Sequence, residues 1–342
     1  MKSLKAKPKH IFVNINKDSF MCYFLSVCVL AIIAVIISNP TKYNSSIMQG
    51  INLFIASVFP GLFPFMFLTK LLTGFGAVKK ISNKFSPVCK FLFNAPGISS
   101  YVFIMSIVSG YPIGAKLISD LYEAKIIDTQ QAKKMVSFCT TSGPIFIIGS
   151  VGVTMFLSAK IGLIIYLSHI LSSVMCGIIL SGKRTKNKQV SKTTTTSLQL
   201  SDTLLSSTMA STVESILLVG AYISIFFLLA DILTDIGILK GATLALEKLL
   251  NIFNINGLSG GIINGILEVT RGCKVLCASN SILSICFTCA VISFSGVCII
   301  LQSMQFLSKC KIKARYFIFV KFVHSVLSFF VCLGLCLVIN PF

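Results

Sequence analysis

Apolar runs long enough to cross a bilayer recur through this 342-residue chain, among them Phe20 to Ser38, Ile161 to Ser181 and Tyr316 to Ile339. A helix needs roughly 20 such residues to span the hydrocarbon. Lipid offers the backbone no hydrogen bonds, so each run must satisfy its own peptide groups as a helix; the alternating strands of a barrel are not seen. The expected fold is an all-α polytopic membrane protein. A mean hydropathy of +0.89 excludes a soluble one.

The formal net charge is +20, but the Lys and Arg residues gather in loops between apolar runs. That pattern sets membrane orientation, and it argues against nucleic acid as a partner. Lys2, Lys5, Lys7, Lys9 and Lys17 precede the first run, which continues to Asn39-Pro40 without a small-residue cleavage site. We read an uncleaved first helix with a cytoplasmic N-terminus. Lys183, Arg184, Lys186, Lys188 and Lys192, with Thr193 to Thr196, read as a flexible cytoplasmic linker. Most of the 13 cysteines lie inside apolar runs, where thiols act as small hydrophobes. Cys286 and Cys289 form a CxxC with no His nearby, so no metal site is expected.

Other runs are broken. Ile51 to Leu72 contains Pro60, Gly61 and Pro64, so a kinked span is expected. Lys79 to Asn94 is amphipathic, as a helix lying at the interface would be. Tyr101 to Val108 is too short to span and stops at Ser109-Gly110-Tyr111-Pro112; we expect it to be re-entrant. After the Lys- and Asp-rich segment that follows comes Ser137-Phe-Cys-Thr-Thr-Ser-Gly-Pro144, then an expected span from Pro144 to Leu157.

The chain also repeats itself. With an offset of 161, Met48 falls on Met209, Ile55 on Ile216, Phe65 on Phe226, Leu68 on Leu229, Thr73 on Thr234 and Gly76 on Gly237. Further on, Gly114-Ala115-Lys116 matches Gly272-Cys273-Lys274, and Ser142-Gly143 matches Ser295-Gly296. The charge pattern starts the two halves on opposite sides, which makes the repeat inverted, a transporter plan with its site between the halves near the midplane. The expected organisation is a tail and first helix (1–45), a first half (46–182), the linker (183–200) and an inverted second half (201–342).

Charged residues inside apolar runs cost about 2.5–3.5 kcal/mol each and need a purpose or a partner. Glu268 and Arg271 admit two readings: a structural ion pair three residues apart, or a site in which Arg271, Lys116 and Lys274 attract an anionic solute. In the second, Glu268 holds Arg271 or carries a coupling proton. Helix N-termini expected near Ala115, Pro144, Cys273 and Val297 would add free N–H groups. Ser109, Thr140, Thr141, Ser142, Thr270 and Ser295 would add hydroxyls. With Gly110, Tyr111, Pro112, Gly114, Gly143, Pro144, Gly272 and Gly296 at the breaks, these form the expected substrate site. Lys70 and Asp231, equivalent in the repeats, are expected to snorkel to the interface, with pairing to each other as the alternative. His169 and His324 are expected to be packed or hydrogen-bonded. No nucleophile–base pair appears, so no enzyme and no cofactor are expected.

At SGYPIGAK, SFCTTSGPIFIIGSVG and LEVTRG the sequence resembles the YlbJ (SpoVV) family of sporulation integral membrane proteins. The resemblance implies nucleoside-recognition Gate domains, a fold related to concentrative nucleoside transporters, and movement of dipicolinic acid across the outer forespore membrane. The polar and acidic sugar-binding signatures of nucleoside transporters are not found. Dipicolinate, a small planar dianion, would suit the cationic turns, with a proton or sodium ion as coupling partner. The alternatives are transport of a nucleoside or other small polar metabolite, and a sporulation membrane scaffold that transports nothing.

Overall fold

The computed structural model describes residues 18–75, 77–182 and 202–341. The basic tail and the 183–200 linker therefore lie outside the described residues. Among those described there is no strand. The chain divides into two compact units, 1–45 and 46–342, and each is treated separately. In the first, helix α1 (Asp18–Ser38) carries exposed Tyr23, Leu25, Val27, Leu30 and Ile37.

The second unit begins within α2 (Pro40–Leu53). A π-helical stretch (Phe54–Val58) joins it to α3 (Phe59–Gly74), so the break expected from Pro60 to Pro64 falls just before them. Next come α4 (Ala77–Phe93), α5 (Ser99–Ser109), α6 (Ile113–Glu123), α7 (Thr129–Val136), a π-helical segment (Ile145–Met155) and α8 (Ala159–Leu180). After the linker stand α9 (Asp202–Asp235), α10 (Ile238–Asn251), α11 (Ser259–Leu267), α12 (Val269–Cys277), α13 (Ile282–Phe294), α14 (Gly296–Leu307) and α15 (Ala314–Ile339).

Among the described residues, four helical segments are long and apolar enough to cross a membrane: Ala159–Leu180, Leu204–Asp235, Ile282–Cys310 (broken at Ser295) and Ala314–Ile339. Leu25–Ser38 and Pro40–Ala56 pass the same test taken together. The expected span after Pro144 is corrected. Its helical part covers 11 residues, Ile145–Met155, too few to cross; it is bounded by the unwound Thr140 to Gly143 before Pro144 and by Leu157, which turns with φ +55°. At about 1.5 Å per residue, α5 and α6 reach only some 16 Å, half a bilayer, in keeping with a re-entrant hairpin. Helices α11 and α12 form a second, shorter one.

Polarity in the long helices is inside out. On α8 the exposed face carries Leu163, Leu167, Leu171, Met175 and Ile178, while Ser168, His169, Ser172 and Ser173 are buried. On α15, Phe319, Phe322, Val326 and Phe330 face outward, and Lys321, His324 and Ser328 are buried. Apolar stripes of this extent belong against lipid. Outside the spans, Glu247 of α10 accepts from the Ser259 hydroxyl and from the Gly257 N–H at 2.9 Å. These bonds hold its carboxyl below the usual range and tie down the loop leading into α11.

Two apolar cores fill the second unit. One is built mainly from α5, α6, the segment around Phe138 and the middle of α9. The other is built from the Ile145–Met155 segment, α8, α12, α13 and α15. Within it the thiols of Cys286, Cys332 and Cys336 lie within 4.8 Å of one another, a convergence that the CxxC spacing did not reveal.

Close backbone approaches hold the half-length helices in place. A Cβ at Gly114 of α6 would stand 1.7 Å from the Cys139 carbonyl oxygen, and one at Gly272 of α12 would stand 2.2 Å from the Gly265 Cα. We expect Gly114→Ala to yield no stable folded protein. Gly241→Ala, with nothing within 4 Å of the added atom, should be neutral or stabilising by up to about 1 kcal/mol. Melting of both variants in detergent checks this; a Gly114→Ala that melts like the wild type would show that the approach is dispensable.

Candidate functional site

The first broken turn is fixed at Gly110. Its φ of +78° ends α5, its N–H returns to the Ser106 carbonyl at 2.8 Å, and its missing side chain leaves room for Gly143. Tyr111 and Pro112, joined by a cis peptide, then lead into α6. The turn is met by the unwound Thr140–Gly143 strand. Ser106 Oγ lies 3.0 Å from Thr141 Oγ1 and accepts from the Thr141 N–H, and Thr69 Oγ1 lies 2.9 Å from Ser109 Oγ. Thr140 to Gly143 stand outside the helices, so side chains from elsewhere supply partners for their peptide groups.

Those partners come from α8 and α15. His169 Nε2 accepts from the Ser142 N–H at 2.8 Å, and its Nδ1 lies 2.8 Å from Ser293 Oγ. Lys321 donates to the Thr140 carbonyl and to the Tyr111 hydroxyl, at 2.5 and 2.9 Å, with its ammonium 4.6 Å from the Tyr111 ring centre. His324 Nε2 lies 3.0 Å from the His169 carbonyl, and the two rings are 4.8 Å apart. Both histidines are thus hydrogen-bonded, as expected. Lys321 was not anticipated; its signal was a lone cation, the sixth residue of the last apolar run.

The second turn is built differently. Glu268, in extended conformation between α11 and α12, accepts from the N–H groups of Thr270 at 3.1 Å and Arg271 at 2.7 Å. Its carboxylate caps α12, satisfying the end that the sequence reading left open for an anion, and the helix begins at Val269 rather than near Cys273. The Arg271 side chain instead reaches Asp231 of α9 at 2.7 Å, and Asp231 also accepts from Ser46 Oγ. This corrects three expectations. The Arg271 guanidinium pairs with Asp231 and not with Glu268, Asp231 does not snorkel, and Lys70 does not pair with it. Lys70 donates to Ser211 and Ser215 of α9 at 2.9 and 3.4 Å.

Between the turns lies a cavity of about 80 Å³. Of the expected site residues, Ser109, Tyr111, Ser142, Gly143, Glu268 and Thr270 line it. Gln302 and Cys298 of α14 complete its polar wall, and Val219, Ile223 and Val269 bring in both cores. Gln302 also went unnoticed in the sequence, although it sits two turns after the Ser295-Gly296 break. Gly110, Pro112, Gly114, Thr140, Thr141, Pro144, Gly272, Ser295 and Gly296 shape the turns without lining the cavity. The three expected cations do not line it either: Lys116 is 3.5 Å from Asp120 and lies over the Phe306 ring, Arg271 is held by Asp231, and Lys274 is exposed.

Residues 55–159 match the Gate family, described as nucleoside recognition. The chain is also 26% identical over 319 residues to the sporulation integral membrane protein YlbJ of Bacillus subtilis (strain 168), covering 87% of this chain and 78% of that protein. The resemblance read from the motifs is thereby borne out. No solved structure matches. The chain is an all-α membrane protein with a Gate region and a sporulation protein as relative.

For the Asp231–Arg271 pair, half-buried on both sides, a double-mutant cycle with Asp231→Asn and Arg271→Gln should give a coupling of about 0.5–3 kcal/mol in detergent unfolding. Additive losses would mean that the two charges act separately.

Proposed function

We propose that this chain is a transporter whose two halves form an inverted repeat and carry a small polar organic solute through the cavity between their broken turns. The observation that carries the reading is that cavity: Ser109, Tyr111, Ser142 and Gly143 from one half meet Glu268, Thr270 and Gln302 from the other. The order of elements supports the repeat. Helices α4 to α8 and α10 to α15 each run as an amphipathic helix, a half-length hairpin, a capped helix, a break and a full span. A scaffold has no use for a buried carboxylate at such a meeting point.

Dipicolinate is the solute we favour, through the resemblance to sporulation proteins, with the N-terminus in the cytoplasm and the outer forespore membrane as the location. The cavity adds a condition. Two carboxylates 4 Å apart at an effective dielectric of 20 repel by about 4 kcal/mol, so a dianion beside ionised Glu268 must bring a proton or sodium ion with it. A nucleoside is the second reading, favoured by the Gate match and by a polar wall of carboxylate, amide and hydroxyls that suits an uncharged heterocycle. The six expected residues on the wall, with Gln302, are the proposed solute contacts.

Uptake of radiolabelled dipicolinate and of uridine into proteoliposomes holding the full chain tests this. Gln302→Ala and Glu268→Gln should each cut uptake at least about tenfold, equivalent to 1.4 kcal/mol, whereas Lys274→Ala should leave it unchanged. Full activity in both cavity variants would move the site elsewhere, and no uptake of either solute by a folded wild type would favour the scaffold.

A further inference from the structure

The hydrogen bonds of His169 determine where its proton lies. A backbone N–H can only donate, so the Ser142 N–H fixes Nε2 as an acceptor without a proton. The neutral ring then carries its hydrogen on Nδ1 and donates it to Ser293 Oγ. His169 therefore joins the Ser142 wall of the cavity to α13 of the other half, and it does so only while Nε2 is unprotonated. His324 is its counterpart: each is the eleventh residue of its helix, α8 or α15, and their rings lie against each other.

From these contacts we propose that His169 is a proton-binding site coupled to the solute cavity. Uptake of a proton at Nε2 turns the acceptor into a donor, breaks the bond to Ser142 and frees the Ser142–Gly143 wall. Its loss remakes both. The groups facing His169 are His324 and Lys321 from α15, Tyr111 from the first turn, and the Ser293 hydroxyl from α13; Cys289 of α13 donates to the Ile165 carbonyl one turn away. No carboxylate is among them. Lys321 already holds the Thr140 carbonyl of the same segment, so an imidazolium at His169 faces a second positive charge and sets an N–H donor against the Ser142 N–H, which favours separation at that bond. A proton gradient would then act on the cavity through one side chain.

The inference rests on the transport reading, and the test separates the two. In proteoliposomes an inward proton gradient should raise wild-type uptake of dipicolinate or uridine by about fivefold or more. His169→Gln can accept from Ser142 through Oε1 and donate to Ser293 through Nε2 but cannot titrate. It should bind the same radiolabelled solute within about twofold of the wild type, yet show no response to the gradient. Ser293→Ala keeps the ring and removes the partner of its Nδ1 hydrogen, so it should shift the pH profile of uptake. Wild-type uptake that ignores the gradient, or a His169→Gln variant still driven by it, would overturn the coupling while leaving the transporter. A wild type that carries neither solute overturns both.

Discussion

A helix that stops inside a bilayer leaves backbone N–H and carbonyl groups that no bulk water can satisfy, and much of this structure answers that constraint. Every unpaired group of that kind costs several kcal/mol. Around the first break the answers come from other helices: Ser106 for the Thr141 N–H, His169 for the Ser142 N–H and Lys321 for the Thr140 carbonyl. Around the second they come from the chain itself, since Glu268 caps α12 with its own carboxylate. The breaks are thus held in different ways, one by a remote cation and imidazole, the other by a local anion. A cavity between them has a polar wall without exposing a free backbone end.

This division also explains where the charges go. Buried ions need partners. Arg271 finds Asp231, Lys116 finds Asp120, and Lys321 is spread over a carbonyl, a hydroxyl and an aromatic face. Glu268, by contrast, lines the cavity and keeps its partners within one turn of backbone. A solute entering the cavity therefore meets a carboxylate, hydroxyls and an amide before it meets any cation.

The long apolar runs and the breaks at Gly110, Gly143 and Ser295-Gly296 were legible because composition and punctuation by Gly and Pro act locally. The hairpin was legible for the same reason, since eight apolar residues cannot span. What could not be read were distances across the fold. The Glu268–Arg271 spacing suits an ion pair, but a carboxylate at an N-cap position finds backbone N–H groups sooner than a side chain, and Asp231 comes within reach of Arg271 only because α9 packs against α11 and α14. Lys321 lay hidden among apolar neighbours, because one cation between Tyr316 and Ile339 leaves the helix pattern intact. The segment after Pro144 was expected to span, but it is bounded by Thr140 to Gly143, which bond to other elements instead of winding up, and by the turn at Leu157, and hydropathy registers neither.

The anchoring of the first turn bears on how a solute could move through. Glu268 is bonded within its own helix end, so its position follows α12 rigidly. The Ser142 wall depends instead on bonds to α8 and α15, which carry the lipid-facing stripes and pack against each other through His169 and His324. Releasing the His169 and Lys321 bonds, each worth on the order of 1–3 kcal/mol net, would leave that wall held by Ser106 alone, whereas displacing Glu268 would require unwinding the start of α12. Of the two sides of the cavity, the Thr140–Gly143 strand is therefore the one that can yield, and its freedom is controlled by side chains on the long helices rather than by the solute site itself.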